Sequence, residues 1–506
     1  MKELIKKISA LGLAITMTAG AFTGCNSGEG SSSSVSEKNT ITWMSMLHTQ
    51  SPPADSIVEK LAGITGVDGI EFQWIPDASK DEKLNTALAS KSLAQIVSLT
   101  TVTDNAAIRM ALLDGVFWDI EPYIADYPNL AKISKERIDA ARIGGKLYGV
   151  PFQKPVARYG VLIRQDWLDN LGLPVPHTVE DLIKTSEAFT KDDPDGNGVD
   201  DTVGLVERSE SFNIGFRMLS GYYGAPNYFD IDDAGKVTPY FLHDGFYKAA
   251  EDMRYLYENG YMNSDWLTMP KNDQKEYIAR SRGGIVFAGL FEAKNYVNDA
   301  VASGQGDTMK WGLINDMVVE GIDRRILSDT NGGFGGLLAM PKSEVADETE
   351  LRRVLAFIDK LCSKEAFTLM TWGVEGEHFR LDSSGAYERI NEEKWMQEVQ
   401  ALSASRPDEM WSYQMPTVDP VTTEANNKMV ENEPYAIVNE CQSLQSQTYT
   451  NQWKSLLIIV QDAYSKYVIG TITMEEFKAE IERWLANGGQ AIIDEYEADY
   501  ASVQNQ

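Results

Sequence analysis

Gly145 to Leu205 reads GKLYGVPFQKPVARYGVLIRQDWLDNLGLPVPHTVEDLIKTSEAFTKDDPDGNGVDDTVGL. The turn Lys146-Leu147-Tyr148-Gly149-Val150-Pro151 delivers the chain to a new region, which the apolar strand Val161-Leu162-Ile163 opens. Thr178 can cap the helix that follows, with Asp181 three residues on, and Val179, Leu182, Ile183, Ser186 and Phe189 share one of its faces. That helix runs into the acidic loop Asp193–Asp201, and Thr202-Val203-Gly204-Leu205-Val206 leaves the loop as a short strand.

The loop carries the sharpest chemistry. Asp193, Asp195 and Asn197 alternate like positions 1, 3 and 5 of an EF-hand calcium loop; Gly198 stands at the turning position, Val199 offers its backbone carbonyl and Asp201 falls at position 9. Calcium takes oxygens at about 2.3–2.6 Å, which short carboxylates on a tight turn supply. Position 12 is Gly204 where an EF-hand has glutamate, so a ligand must come from water or from Asp200, Thr202 or Glu207. The competing reading is an acidic turn without an ion. A helix on one side and a strand on the other suit a structural clip, with Ca2+ as the expected cofactor, better than a calcium switch.

Farther on, Trp372-Gly373-Val374-Glu375-Gly376-Glu377-His378-Phe379 forms a second recognisable segment. Together with G-K-L-Y-G-V-P, Y-G-V-L-I-R-Q-D-W-L-D-N-L-G-L, P-x-T-x-E-D-L and D-P-D-G-N-G-V-D-D-T-V-G-L, it resembles the extracellular solute-binding lipoproteins of ABC importers, the family 1 or sugar-binding type. The resemblance implies an α/β, two-lobed periplasmic-binding-protein-like fold of class II type. Each lobe would be a mostly parallel sheet flanked by helices, with helical C-terminal additions. It also implies an ABC permease partner, a monomer and no catalysis.

Met1–Gly24 reads as a lipoprotein signal peptide: Lys2, Lys6 and Lys7 lead an uncharged apolar run that ends in Phe22-Thr23-Gly24-Cys25. Cys25 is then the acylated (palmitate-bearing) first mature residue, though Phe22 replaces the usual leucine of a lipobox. An ordinary secretory signal or a single membrane anchor is the alternative. Residues 25–38, rich in serine, read as a flexible tether to the outer face of the cell membrane. The remainder is too long for one core, and is expected to divide into a first lobe of residues 39–155 with 330–400 and a second of 156–329 with 401–506.

Lys+Arg 46 against Asp+Glu 75 gives a net charge of −29. That excludes nucleic acid and a polybasic grip on anionic lipid, and disfavours a highly anionic ligand. After Cys25, only Cys362 and Cys441 remain. Cys362 lies on the apolar face of a helix with Leu351, Val354, Leu355, Ile358 and Leu361, which suits a buried thiol; a disulfide between the two is the alternative. Histidines and cysteines show no metal-binding spacing.

Ile41–Met46, the alternating Ile70, Phe72 and Trp74, and Ile96–Leu99 read as strands, with helical patterns around Ser56–Ala62 and Asp81–Ser90 between them. This is a doubly wound unit, whose ligands sit beyond the carboxyl ends of the strands near His48, Ile75–Asp77 and Thr100–Asp104. Gly283–Phe287 and Leu337–Met340 are further strands, and the glycines of Asn331–Gly336 suit a crossover between lobes. Thr473-Met474-Glu475-Glu476 is a capping box opening a helix that Gly488-Gly489 ends.

Sugars stack their C–H faces on aromatic rings and pair hydroxyls with carboxylates. The candidate wall residues are His48, Tyr159, Phe291, Glu292, Trp372, Glu375 and Trp411; for any one of them core packing is the competing role. The expected function is capture of a carbohydrate, neutral oligosaccharide first, in an interlobe cleft for delivery to the permease. A secreted glycan-active hydrolase, which needs paired carboxylates, and a non-transport glycan adhesin are the alternatives.

Overall fold

The computed structural model describes residues 39–102 and 105–504. The expected signal peptide, Cys25, the whole 25–38 tether and Asp104 lie outside the described residues.

Two large sheets organise the chain. In order, their strands are β1 (Thr40–Leu47), β2 (Gly69–Pro76), β3 (Ile96–Leu99), β4 (Gly149–Gln153), β5 (Tyr159–Arg164), β6 (Val203–Leu205), β7 (Gly283–Gly289), β8 (Trp311–Ile314) and β9 (Phe334–Ala339). The first sheet has the order β2-β1-β3-β9-β4 and the second β8-β5-β7-β6. In the first, β9 alone opposes the common direction; in the second, β5 does. Both sheets are therefore parallel but for one strand each.

The apolar patterns explain the placement. β3 is buried along its whole length, as a central strand covered on both faces must be. β2 lies at the edge and keeps its alternation, with Ile70 and Ile75 buried and Glu71 and Gln73 exposed. Its Phe72 ring stacks on Trp43 of β1 at 5.0 Å. One core gathers apolar residues of 41–152 and 337–402 around the first sheet. A second gathers 157–326 and 441–496 against one face of the second sheet, and a smaller one covers its other face with Leu162, Val206, Tyr296 and Met429. Cys362 belongs to the first core and Cys441 to the second; both are buried free thiols, so no disulfide joins them.

The caps fall where the residue types place them. The Thr178 side chain accepts from Asp181 N at 3.1 Å, and the Thr473–Glu476 capping box is formed. The glycine pair at the C-terminal end acts differently from the expectation. Gly488 takes φ 136°, and the chain turns through Leu485–Gly489 into a further helix, Gln490–Gln504. Gly489 sits so close to the Trp484 ring that a Cβ there would lie 2.1 Å from it. The pair bends the helical tail and does not end it. No helix among the described residues is long and apolar enough to cross a membrane.

Three segments pass between the two main cores: residues 153–158, 328–334 and 403–410. They run side by side. Gln153 N donates to Pro407 O at 2.8 Å, Lys154 N to Gly333 O at 2.9 Å, and Thr330 Oγ1 to Pro155 O at 2.8 Å. In the third segment, burial pushes the Asp408 carboxyl up to about 6, although Met410 N donates to it and Arg137 lies nearby. A raised carboxyl pKa means that the folded state holds this proton more tightly than the unfolded chain. Its stabilising contribution is complete below the unfolded value near 4 and is lost as the pH rises through about 6. Asp408→Asn removes the charge and keeps an oxygen for Met410. Its melting temperature should exceed that of the wild type at about pH 7.5 and match it at about pH 4; a constant offset across that range would show that the charge is not the cause.

Candidate functional site

The first sheet positions one wall. β1 ends at Leu47 and His48 follows, exposed. A buried chain of hydrogen bonds reaches across from β1 to the third crossing segment. Trp43 Nε1 donates to Ser98 Oγ at 3.0 Å, Ser98 Oγ to Ser45 Oγ at 3.3 Å, and Ser45 Oγ lies 2.7 Å from Ser405 Oγ. This chain presents the next residue, Arg406, beside His48. Arg406 Nε donates to Ser403 O at 3.0 Å and Nη1 to Thr371 Oγ1 at 2.9 Å, while His48 Nε2 is 3.1 Å from Ser403 Oγ. The His48 pKa is lowered, by partial burial first and by Arg406 as well, against Asp77, which raises it.

A second group of candidate wall residues lies at the strand ends of the second sheet. Arg158 is tied to Asp329 twice, N to Oδ1 at 2.9 Å and Nε to Oδ2 at 2.7 Å, which locks the first crossing segment to the second. Its guanidinium lies 4.8 Å from the centroid of Phe291. Phe291, just past β7, is 42% exposed. Its neighbour Glu292 is buried, 2.9 Å from Lys271 Nζ. Tyr159 is pushed up to about 12, by burial first and then by Asp329, with Arg158 opposing. Tyr413 is within electrostatic reach of both groups: burial raises its pKa, Glu409 adds to that, and both Arg158 and Arg406 are near enough to oppose it. Arg208, beyond β6, is engaged by Glu210 and Gln274, each at 2.7 Å.

Of the candidate wall residues, His48, Tyr159, Phe291 and Glu292 thus stand at strand ends around Arg158, Tyr413 and Arg406. Trp372 and Trp411 are half-buried against a satellite cluster of Phe367, Phe379, Tyr387 and Met415. The Trp372 ring is 5.2 Å from Tyr387, and Trp411 Nε1 donates to Cys362 O at 2.9 Å. Thr371 links that cluster to Arg406. Glu375 is exposed in a separate groove with Lys60, Lys364 and Glu365. Arg158, Asp329, Arg406, Glu409 and Tyr413 were not among the sequence candidates. No spacing marks them as a group, because they come from all three crossing segments and the flank of the third.

The acidic loop folds as a compact turn. Asp193 takes φ 46° and its carboxylate accepts from Asn197 N at 3.1 Å and Gly198 N at 2.9 Å. The Asn197 side chain reaches Asp195 at 3.0 Å and Asp201 at 3.3 Å. The Asp195 pKa is raised by partial burial first and by the adjoining Asp193 and Asp201 as well. Crowded like charges of this kind, all hard oxygens beside the Val199 carbonyl, fit a divalent cation such as calcium. Position 12 is glycine for a packing reason: a Cβ on Gly204 would lie 2.1 Å from Ser186 Oγ. Thr202 spends its hydroxyl on Phe189 O at 2.8 Å, and Glu207 is buried in the core, where burial pushes it up to about 7. Of the three nearby oxygen donors only Asp200 is exposed.

Among the described residues, one other cluster has metal-like geometry. Glu377, His378 and Glu398 hold donor atoms within 4.8 Å of one another. Its cation is already present: Lys394 Nζ lies 2.7 Å from Glu377 and 4.0 Å from Glu398.

The comparisons with known proteins agree with this architecture. The family model described as bacterial extracellular solute-binding protein matches residues 58–373. The polygalacturonan/rhamnogalacturonan-binding protein YtcQ of Bacillus subtilis (strain 168) is 35% identical over 491 residues, 96% of this chain and 97% of that protein. Lipoprotein LipO of the same organism is 29% identical over 98% of both chains. Among solved structures, the Streptococcus pneumoniae ABC-transporter substrate-binding protein FusA, in complex with kestose, superposes with a TM-score of 0.65 at 19% identity, covering 92% of this chain and 99% of that one. FusA has also been solved as an EF-hand mutant in complex with fructo-nystose. This chain belongs to the bacterial extracellular solute-binding proteins.

Proposed function

We propose that this chain is the membrane-anchored receptor of an ABC importer, and that it captures a uronate-bearing oligosaccharide in the cleft between the walls described above and hands it to the permease. The observation that carries this reading is the 35% identity, end to end, with a protein named for binding polygalacturonan and rhamnogalacturonan. Galacturonan places a carboxylate on every sugar ring. The sequence expectation of a neutral ligand rested on the net charge of −29. That long-range field is screened beyond about 8 Å at physiological salt, whereas Arg158, Arg208, Lys271 and Arg406 act within the site. Lobes at 39–155 with 330–400 and 156–329 with 401–506 would close on the ligand by favouring one state of a hinge. Binding without catalysis, as a monomer, completes the reading.

Phe291 would supply the stacking face, with Tyr159 and Tyr413 beside it. Phe291→Ala should weaken binding of oligogalacturonides by about 1–3 kcal/mol, the usual worth of burying a large ring, in isothermal titration. Small-angle scattering of the wild type should show a smaller radius of gyration with the oligosaccharide than without. A wild type that binds no oligogalacturonide would sink the uronate reading, and one that binds it with no change in scattering would sink closure on the ligand.

The loop would hold calcium through Asp193, Asp195, Asn197, the Val199 carbonyl and Asp201, as a clip between a helix and β6. Calcium should raise the melting temperature and a chelator lower it, and Asp193→Ala with Asp195→Ala should abolish that response while ligand choice stays the same. The anchor would be Cys25 with its acyl chains. Cys25→Ser should move the protein from the membrane to the soluble fraction with affinity unchanged, and retention on the membrane would indicate another anchor.

A further inference from the structure

Four cationic side chains stand at or behind the cleft walls, and they are not equivalent. Arg158 has Asp329 at 2.7 Å, Arg208 has Glu210 at 2.7 Å and Lys271 has Glu292 at 2.9 Å. Arg406 has no carboxylate within ion-pair distance among the described residues. Nε and Nη1 are committed to Ser403 O and Thr371 Oγ1. Nη2 has no acceptor among the described residues. One face of the guanidinium lies over the Phe367 ring, 5.4 Å from its centroid. The nearest acid, Glu409, acts on it from beyond contact, and Tyr413 stands close by.

The support beneath this side chain is built. The buried Trp43–Ser98–Ser45–Ser405 hydrogen bonds fix the backbone that carries it, and two further bonds fix the orientation of its plane. A guanidinium is planar and suited to a carboxylate. Keeping one partly desolvated with no internal counter-ion is unfavourable in the free protein, and an arriving anion offsets that cost. His48 is exposed beside it, with its pKa lowered by partial burial first and by Arg406 as well, against Asp77.

We infer that Arg406 is the anchor on the first-sheet wall for a ring carboxylate of the bound oligosaccharide, making it the residue that separates uronates from neutral sugars; this rests on the uronate reading above. Arg158 and Arg208, neutralised by their own partners, would position the site and leave the sign of the ligand to Arg406.

The test is isothermal titration of the full chain with trigalacturonate and with its methyl ester, which keeps the rings and loses the charge, at low and high salt. The wild type should prefer the acid, and the preference should shrink as salt rises. Arg406→Gln should lose about 10- to 100-fold in affinity for the acid, the usual worth of a charge-assisted hydrogen bond, with the ester unchanged and the salt dependence reduced. Arg406→Lys, which keeps the charge without the planar edge, should fall between the two. If Arg406→Gln proves poorly folded, the acid-to-ester ratio of Arg406→Lys decides alone: a ratio equal to that of the wild type overturns the proposal. A variant that binds the acid as the wild type does, or loses acid and ester equally, overturns the assignment of Arg406 while leaving the uronate reading standing. A wild type that does not distinguish acid from ester overturns both.

Discussion

Two hydrophobic cores are joined by three lengths of backbone, and the hydrogen bonds among those lengths are the constraint from which the rest follows. Backbone that passes between cores is partly removed from water, so its polar groups must find partners within the chain. Pro155 lacks an N–H, and its own carbonyl and the next one are taken by hydroxyls of the second crossing: Thr330 Oγ1 donates to Pro155 O at 2.8 Å and Ser328 Oγ to Val156 O. Asp329, between those two, takes Arg158. The chain leaves the first sheet along β4 and returns along β9, so these strands must be antiparallel neighbours, and β9 must run against the direction of β1, β2 and β3. The single reversed strand of that sheet is a consequence of the crossing.

The same arrangement decides where charge is available. A strongly acidic chain can still present cationic groups inside, provided that their counter-ions are assigned locally. Arg158 and Arg208 are bound by acids two residues away or on the adjoining crossing segment, and they serve as rigid struts. Arg406 receives a carbonyl, a hydroxyl and an aromatic face. The distinction lies in the hydrogen-bond partners, and net charge carries no information about it.

Local signals were legible in the sequence to the residue. β3 occupies Ile96–Leu99, the Thr178 and Thr473 caps are formed, and the acidic loop turns at Gly198 with φ 77°. Each depends on neighbours a few positions apart. The site is built otherwise: Arg158 and Asp329 are 171 residues apart, and His48 and Ser403 are 355 apart. No periodicity joins such pairs. Aromatic residues show the same limit. Phe291 and Trp411 both follow apolar or turn-rich stretches, yet Phe291 is left exposed beneath Arg158, while Trp411 spends its indole on Cys362 O. What separates them is the presence of a helix end within reach, which only the packed chain reveals. Gly488-Gly489 resembled a helix stop for a similar reason. The next helix supplies the packing that lets a left-handed residue serve as a bend.

The loop and the site meet in β6. This strand has three residues and pairs in parallel with β7, Val203 to Gly283 and Leu205 to Ile285. So short a strand has little hold of its own. Its outer edge is covered by the segment after Tyr261: Leu205 N donates to Tyr261 O at 2.9 Å, and Asn263 grips Glu207 through both its amide atoms, at 2.7 and 3.1 Å. Its inner side sits so tightly on the helix Val179–Lys191 that only glycine fits at 204. The residue that an EF-hand would use as its last ligand has therefore been replaced by a contact. The loop supplies the remaining restraint, where the chain turns from helix into strand. Immediately past β6 come Glu207 and Arg208, the first buried without a cation of its own and the second reaching Glu210 and Gln274. A slip of one residue in so short a strand would exchange their directions and separate both buried side chains from their present partners. The acidic loop acts on this region through the register of β6.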